Sequence, residues 1–171
     1  MAHSDPVHLG RLALAAGEGA RLGPSVAIEP LTLGGTHYAV APRPIELRLD
    51  VSRLLSGGYA LRLRFEAALT GACMRCLEPA EVRLNVDSRE VNQPGEAEEL
   101  DSPYVRGEQL DIAAWARDAL ALAAPVQLLC QPSCLGLCPE CAARLDEVGP
   151  DHHHEPAPDP RWAKLRDETA D

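Results

Sequence analysis

Aromatic side chains are scarce in this chain: two tryptophans, three tyrosines and one phenylalanine among 171 residues. The 46% apolar fraction therefore leans on alanine, and burial per residue is modest. In such a chain a covalent or metal cross-link would help hold distant segments together. Long hydrophobic runs are missing too. No stretch approaches the roughly 18 consecutive apolar residues that span a bilayer, so no membrane partner is expected. The N-terminus, with a short apolar patch from Leu12 to Ala16, lacks the basic n-region and the full h-region of a secretory signal, which points to a cytoplasmic protein. In that compartment six cysteines are thiols or metal ligands rather than disulfides. H-E-x-x-H, Walker A, G-x-S-x-G and G-x-G-x-x-G are all absent, and neither an enzyme nor a small-molecule substrate is expected.

Basic charge is in short supply. The net charge is −10, yet residues 40–91 hold eight arginines against seven acids, so the acidic excess lies outside them. A chain of this sign has no bulk attraction for phosphate, and any nucleic-acid contact must come from a local arginine face. The acidic remainder suits a basic protein partner or simply a solvated surface.

The chain has room for one domain, or one with a satellite. The expected class is α+β, mainly antiparallel sheet and hairpins with one packed amphipathic helix and a C-terminal zinc-knuckle segment. Residues 1–126 would form the β domain, with its helix near 111–124. Residues 127–171 would form a Cys/His segment and an acidic tail, the whole making one compact unit. The first 40 residues give short apolar runs broken by glycine and proline, and read as short strands or ordered loops. In PIELRLDV, Ile45, Leu47, Leu49 and Val51 share one side. The strongest strand is GYALRLRFEAALTGA, where Tyr59, Leu61, Leu63, Phe65, Ala67 and Leu69 alternate with Arg62, Arg64 and Glu66. AEVRLNV groups Val82, Leu84 and Val86 in a return strand, leaving Cys73 and Cys76 at a hairpin tip. Residues 92–108 read as an exposed acidic loop. Asp111 then caps a helix whose one face carries Ile112, Trp115, Ala116, Ala119, Leu120 and Ala123, and Pro125 closes it. A helical turn around Trp162 and an acidic end complete the chain. No internal repeat is visible.

The stretch CQPSCLGLCPECAARLDEVGPDHHHE packs four cysteines and three histidines into residues 130–155. Thiolate and neutral imidazole are preferred zinc donors, and a structural site takes four in a tetrahedron. The chain offers Cys73-x2-Cys76, Cys130-x3-Cys134, Cys138-x2-Cys141 and His152-His153-His154. Two zinc ions are expected. One pairing would give all four cysteines of residues 130–141 to one ion, leaving the hairpin pair without thiol partners. The preferred pairing gives Cys73, Cys76, Cys130 and Cys134 to one ion and Cys138, Cys141, His152 and His154 to another. It completes both tetrahedra, and residues i and i+2 of an extended segment face the same way, turning His153 aside. The competing readings are an exposed histidine loop, buried thiols, and a redox pair at Cys138 and Cys141.

Together these motifs resemble the YceD family, also called the large ribosomal RNA subunit accumulation protein family. The resemblance rests on Cys73-Met-Arg-Cys76-Leu77, on Cys130 to Cys141, and on Asp159-Pro160-Arg161-Trp162-Ala163-Lys164-Leu165, and covers roughly residues 40–166. Where many members carry glycine after the last C-x2-C cysteine and then N-L-N, this chain has Ala142 and Arg144-Leu145-Asp146. Where many close with C-x-C, it has the histidine triplet, and imidazole can replace thiolate on zinc. The resemblance implies a cytoplasmic, non-enzymatic factor supporting accumulation of large-subunit ribosomal RNA. Its partner would be that RNA, a ribosomal protein or a precursor. Arg62, Arg64, Arg75, Arg83 and Arg89 around the hairpin are the candidates for RNA contact, while the acidic residues 96–101 could meet a basic ribosomal protein. A zinc-dependent interaction module unrelated to ribosomes, or a thiol redox protein using Cys138 and Cys141, are the alternatives.

Overall fold

The structure is a computed structural model that describes residues 6–93 and 100–154. Its spine is a long hairpin. Strand β8 (Tyr59–Ala72) and strand β9 (Pro79–Asn92) pair antiparallel along their whole length, from Tyr59 opposite Asn92 to Ala72 opposite Pro79. The odd residues of β8 from Tyr59 to Leu69 are all buried, because strict period-two alternation sends every apolar side chain to one face. On its other edge β8 is paired twice. Strand β7 (Arg48–Arg53) covers its first half, with Leu49 opposite Leu63, and strand β5 (Thr36–Ala41) covers its second half, with Val40 opposite Leu69. Strands β2 (Gly19–Leu22) and β4 (Leu31–Leu33) flank β7 and β5, giving six strands in all.

Two smaller sheets complete the strand layer: β3 (Ser25–Val26) pairs with β6 (Ile45–Glu46), and β1 (Val7–His8) with β11 (Gln109–Leu110), which also pairs with β10 (Val105–Arg106). Residues 105–110 thus correct the expectation of a continuous acidic loop over 92–108. Two-residue strands are too short to show a period, so their pairing is set by tertiary contact rather than by local pattern. Residues 94–99 of that acidic stretch lie outside the described residues, as do the turn around Trp162, the Asp159–Leu165 motif and the acidic tail.

Helix α1 (Ile112–Ala123) starts where Asp111 accepts a hydrogen bond from the Ala114 N–H at 3.0 Å. It lays Ile112, Trp115, Ala116, Ala119 and Leu120 onto the inner face of β9, while Ala123 is exposed at the end of the last turn. The Trp115 indole donates to the Ser88 hydroxyl at 2.9 Å and stacks with Tyr104 at 6.2 Å, so its polar edge is satisfied inside the core. Scarce rings are placed where they count most. No helix among the described residues is long and apolar enough to cross a membrane.

The far end of β8 is set by Tyr38, which is fully buried and donates its hydroxyl to the Ala72 carbonyl at 3.1 Å. Its ring lies against Gly71, where an added Cβ would fall inside the ring's van der Waals envelope and 3.1 Å from the His37 carbonyl. Gly71→Ala is expected to destabilise the fold by about 1–3 kcal/mol through overpacking, read as a lower denaturant midpoint. The outer face carries a different constraint. The Arg21 guanidinium, followed by that of Arg64, outweighs partial burial and holds the Asp50 carboxyl below its usual value. A group lowered on folding adds stability above its unfolded pKa and loses it as pH falls through the folded one. Asp50→Asn should therefore melt below the wild type at pH 7, with the gap closing under strong acid; a constant gap across pH would contradict this.

Candidate metal centre

The six residues between β8 and β9 form a tight turn. The Cys73 N–H donates to the Glu78 carbonyl at 2.7 Å and the Leu77 N–H returns to the Cys73 carbonyl at 3.0 Å. Closing it puts Leu77 in the left-handed region, at φ 65°. The same pattern recurs after Cys138: its N–H donates to the Ala143 carbonyl at 2.8 Å, the Ala142 N–H donates back at 2.9 Å, and Ala142 has φ 57°. One turn is thus built twice, although the sequence shows no repeat beyond C-x2-C. A left-handed residue with a Cβ costs about 1–2 kcal/mol, so Ala142 keeps the geometry that glycine would adopt freely.

Leu128, buried after the helix, fixes the approach of Cys130 and Cys134. The Met74 N–H donates to the Leu128 carbonyl at 2.9 Å. Arg75, between Cys73 and Cys76, donates to the Cys134 carbonyl at 2.8 Å and to the Gln127 side chain at 3.0 Å. Gly136 completes the approach: at φ 88° a Cβ there would lie 3.1 Å from the Arg75 carbonyl.

These contacts bring Cys73, Cys76, Cys130 and Cys134 together, and a second group contains Cys138, Cys141, His152 and His154. Within each group all four donor atoms lie within 4.8 Å of one another. All six thiols are free. Sulfur pairs stand at 3.8 Å (Cys73–Cys134) and 3.5 Å (Cys76–Cys130), well beyond a disulfide bond. A tetrahedron with metal–sulfur bonds of ~2.3 Å has edges of about 3.8 Å, so these separations fit one central ion. In the second group, Cys141 Sγ lies 3.5 Å from His152 Nε2, which lies 3.1 Å from His154 Nε2. The corresponding tetrahedral edges are about 3.6 and 3.3 Å. The His153 ring instead donates from Nδ1 to the Asp151 carbonyl at 2.7 Å and stays outside the group.

The electrostatics suit cation binding. Burial would raise the Cys73 thiol, but N–H donors from Arg75, Cys76 and Cys130 bring it down to about 6. N–H groups of Cys141 and Glu140, then His152, bring Cys138 to about 6 as well. Hydrogen bonding to Cys76, with burial, pushes Cys130 up to about 12, and burial raises Cys134. Crowded sulfurs therefore share protons that a bound cation would displace.

The two groups are joined. The Leu145 N–H donates to the Gly136 carbonyl at 3.0 Å, and Asp146 accepts from the Leu135 N–H at 2.9 Å. Arg144 reaches Glu147 at 3.3 Å and Glu78, on the hairpin turn, at 3.9 Å. Sequence reasoning missed these joining residues, since nothing in an R-L-D string marks them as a bridge.

Four of the five arginine candidates stand on the outer sheet face, and Arg75 does not. Arg75 is taken up by the loop contacts above. Arg62 donates to Asp87 at 2.8 Å, Arg64 pairs with Asp50, and Arg83 pairs with Glu81 at 3.1 Å on the outer sheet face. Arg89, exposed on the same face, makes no ion pair among the described residues.

Residues 61–167 match the family described as large ribosomal RNA subunit accumulation protein YceD. The chain is also 39% identical over 127 residues to an uncharacterized protein of Mycobacterium bovis and to uncharacterized proteins of two strains of Mycobacterium tuberculosis. Each alignment covers 71% of this chain and 59% of the relative, so the chain spans about three-fifths of the length of the curated relatives it matches. No solved structure matches it.

Elemental analysis of tag-free chain should find about two metal ions, with Cys73→Ser and Cys138→Ser each losing about one. Retention of both ions in either variant would contradict the grouping.

Proposed function

The chain belongs to the YceD family, and from that membership we propose a zinc-stabilised, non-enzymatic factor of ribosome biogenesis. It acts in the cytoplasm and supports accumulation of large-subunit ribosomal RNA by binding RNA or a large-subunit ribosomal protein. The observation that carries the reading is the double four-donor arrangement within a chain of this family. Cys73, Cys76, Cys130 and Cys134 would hold one zinc, and Cys138, Cys141, His152 and His154 the other. Four soft donors complete a tetrahedral shell and leave no position for substrate, which favours a scaffold over a Lewis acid. Bound zinc would supply folding free energy, about 10–16 kcal/mol per site in finger peptides, to a region with few large apolar side chains.

The lowered Cys138 thiol beside exposed Cys141 favours one other reading, a thiol redox pair. Alkylation separates the two. As ligands, both thiols resist iodoacetamide until a chelator is added; as a redox pair, they react at once in chain that retains its metal. For the cellular role, loss of the chain should lower large-subunit RNA relative to small-subunit RNA. Wild-type chain should restore the ratio, and the double variant Cys73→Ser/Cys138→Ser should not. An unchanged ratio would overturn the ribosomal reading.

A further inference from the structure

The outer face of the main sheet concentrates positive charge on an acidic chain. Strand register places Arg21, Asp50, Arg62 and Arg89 in one cross-strand row, and Arg48, Arg64 and Asp87 in the next. All five arginines line one shallow concavity together with Asp50 and Glu90, and Asp87 stands beside it, although the whole chain carries −10. Three of them, from Arg21, Arg48 and Arg64, converge on Asp50 alone. One carboxylate cannot neutralise three cations.

Two features make this more than an ordinary solvated strand surface. Arg62 lies directly opposite Arg89, and Arg48 directly opposite Arg64. Like charges in directly opposed cross-strand positions are unfavourable. Asp87 pairs with Arg62, and Asp50 with Arg48 and Arg64, but Arg89 has no ion-pair partner among the described residues, so a bound polyanion would relieve the remaining repulsion. In addition, the Nε of Arg64 is buried without an acceptor, a donor left unpaired within the row.

We propose that this face, marked by Arg21, Arg48, Arg62, Arg64 and Arg89, docks the phosphate backbone of double-helical RNA. The inference rests on the ribosomal reading above and deepens it by choosing RNA over protein and by naming the surface. It draws in Arg21 and Arg48, and it leaves out Arg75, whose guanidinium is committed to the Cys134 carbonyl and Gln127. Charge sign selects a polyanion. The lining of the concavity contains no aromatic ring, so there is no platform on which unpaired bases could stack. Recognition would therefore read backbone and shape rather than sequence.

The test is fluorescence anisotropy of the full, metal-loaded chain with a short labelled RNA hairpin, a single strand of equal length and a polyglutamate peptide. Salt is varied from about 50 to 200 mM. The hairpin should bind best, with a log–log salt slope of about −3 to −4 if four or so phosphates are contacted. Arg48→Gln/Arg89→Gln should weaken hairpin binding about tenfold or more and flatten the slope by about 2. Arg117→Gln, on helix α1, should change neither. Because the double variant breaks both like-charge pairs, its melting midpoint should not fall, which separates lost contact from lost fold. Equal hairpin binding by the double variant would overturn the surface, as would preference for the single strand or the peptide. Those results would leave the ribosomal reading standing, since that reading fails separately if the large-subunit RNA ratio ignores loss of the chain.

Discussion

Four sulfurs from two distant segments meet at the end of the long hairpin, and that meeting ties the described segment after helix α1 to the sheet. Cys73 and Cys76 stand on the β8–β9 turn, whereas Cys130 and Cys134 arrive after 53 intervening residues. Loop closure over that length has an entropic cost, which apolar packing at the junction offsets in part: Leu128 is buried and Met74, Leu129 and Leu137 pack against the core, but Leu77, Val126 and Leu135 are exposed. Hydrogen bonds from Met74 and Arg75 orient the approach. Each contributes on the order of 1 kcal/mol, too little to hold the segment alone. A cation shared by the four sulfurs would be an interaction of sufficient size. The second group extends the same logic outward through Arg144 and Asp146, so the two centres share one hydrogen-bonded scaffold.

That scaffold and the sheet divide the labour by chemistry. The inner face of the sheet holds nearly all the large apolar side chains, with α1 laid over β9 and Trp115 anchored to Ser88. The outer face holds guanidiniums and carboxylates mixed within the same cross-strand rows. The cysteine end is tied by backbone hydrogen bonds and by Arg75, and the charged face presents long side chains.

Long elements were legible in the sequence because their periods are long enough to see. The alternation from Tyr59 to Leu69 and the helical spacing from Ile112 to Leu120 each give several turns of one pattern, and each became the element expected. Short elements were not. β10 and β11 hide within an acidic stretch because two residues carry no period, and β5 shares an edge of β8 with β7 for reasons that are wholly tertiary. Donor spacing announced which cysteines and histidines to consider, yet the contacts that orient them stayed hidden. Arg75 looked like a surface arginine until its guanidinium was seen on the Cys134 carbonyl, and Arg21 lay in a segment with weak signals. The left-handed turn at Leu77 escaped notice because that residue is not the glycine that usually marks such a backbone. Alanine in place of the family's glycine drew attention to Ala142, whose backbone keeps the left-handed turn.

X-ray absorption at the zinc edge of tag-free chain tests the convergence of donors most directly. One four-sulfur site and one two-sulfur, two-nitrogen site average to three sulfurs and one nitrogen per ion. The expected spectrum shows that ratio, with zinc–sulfur distances of about 2.3 Å. A first shell dominated by oxygen, or purified chain that carries disulfides and no metal, would contradict it.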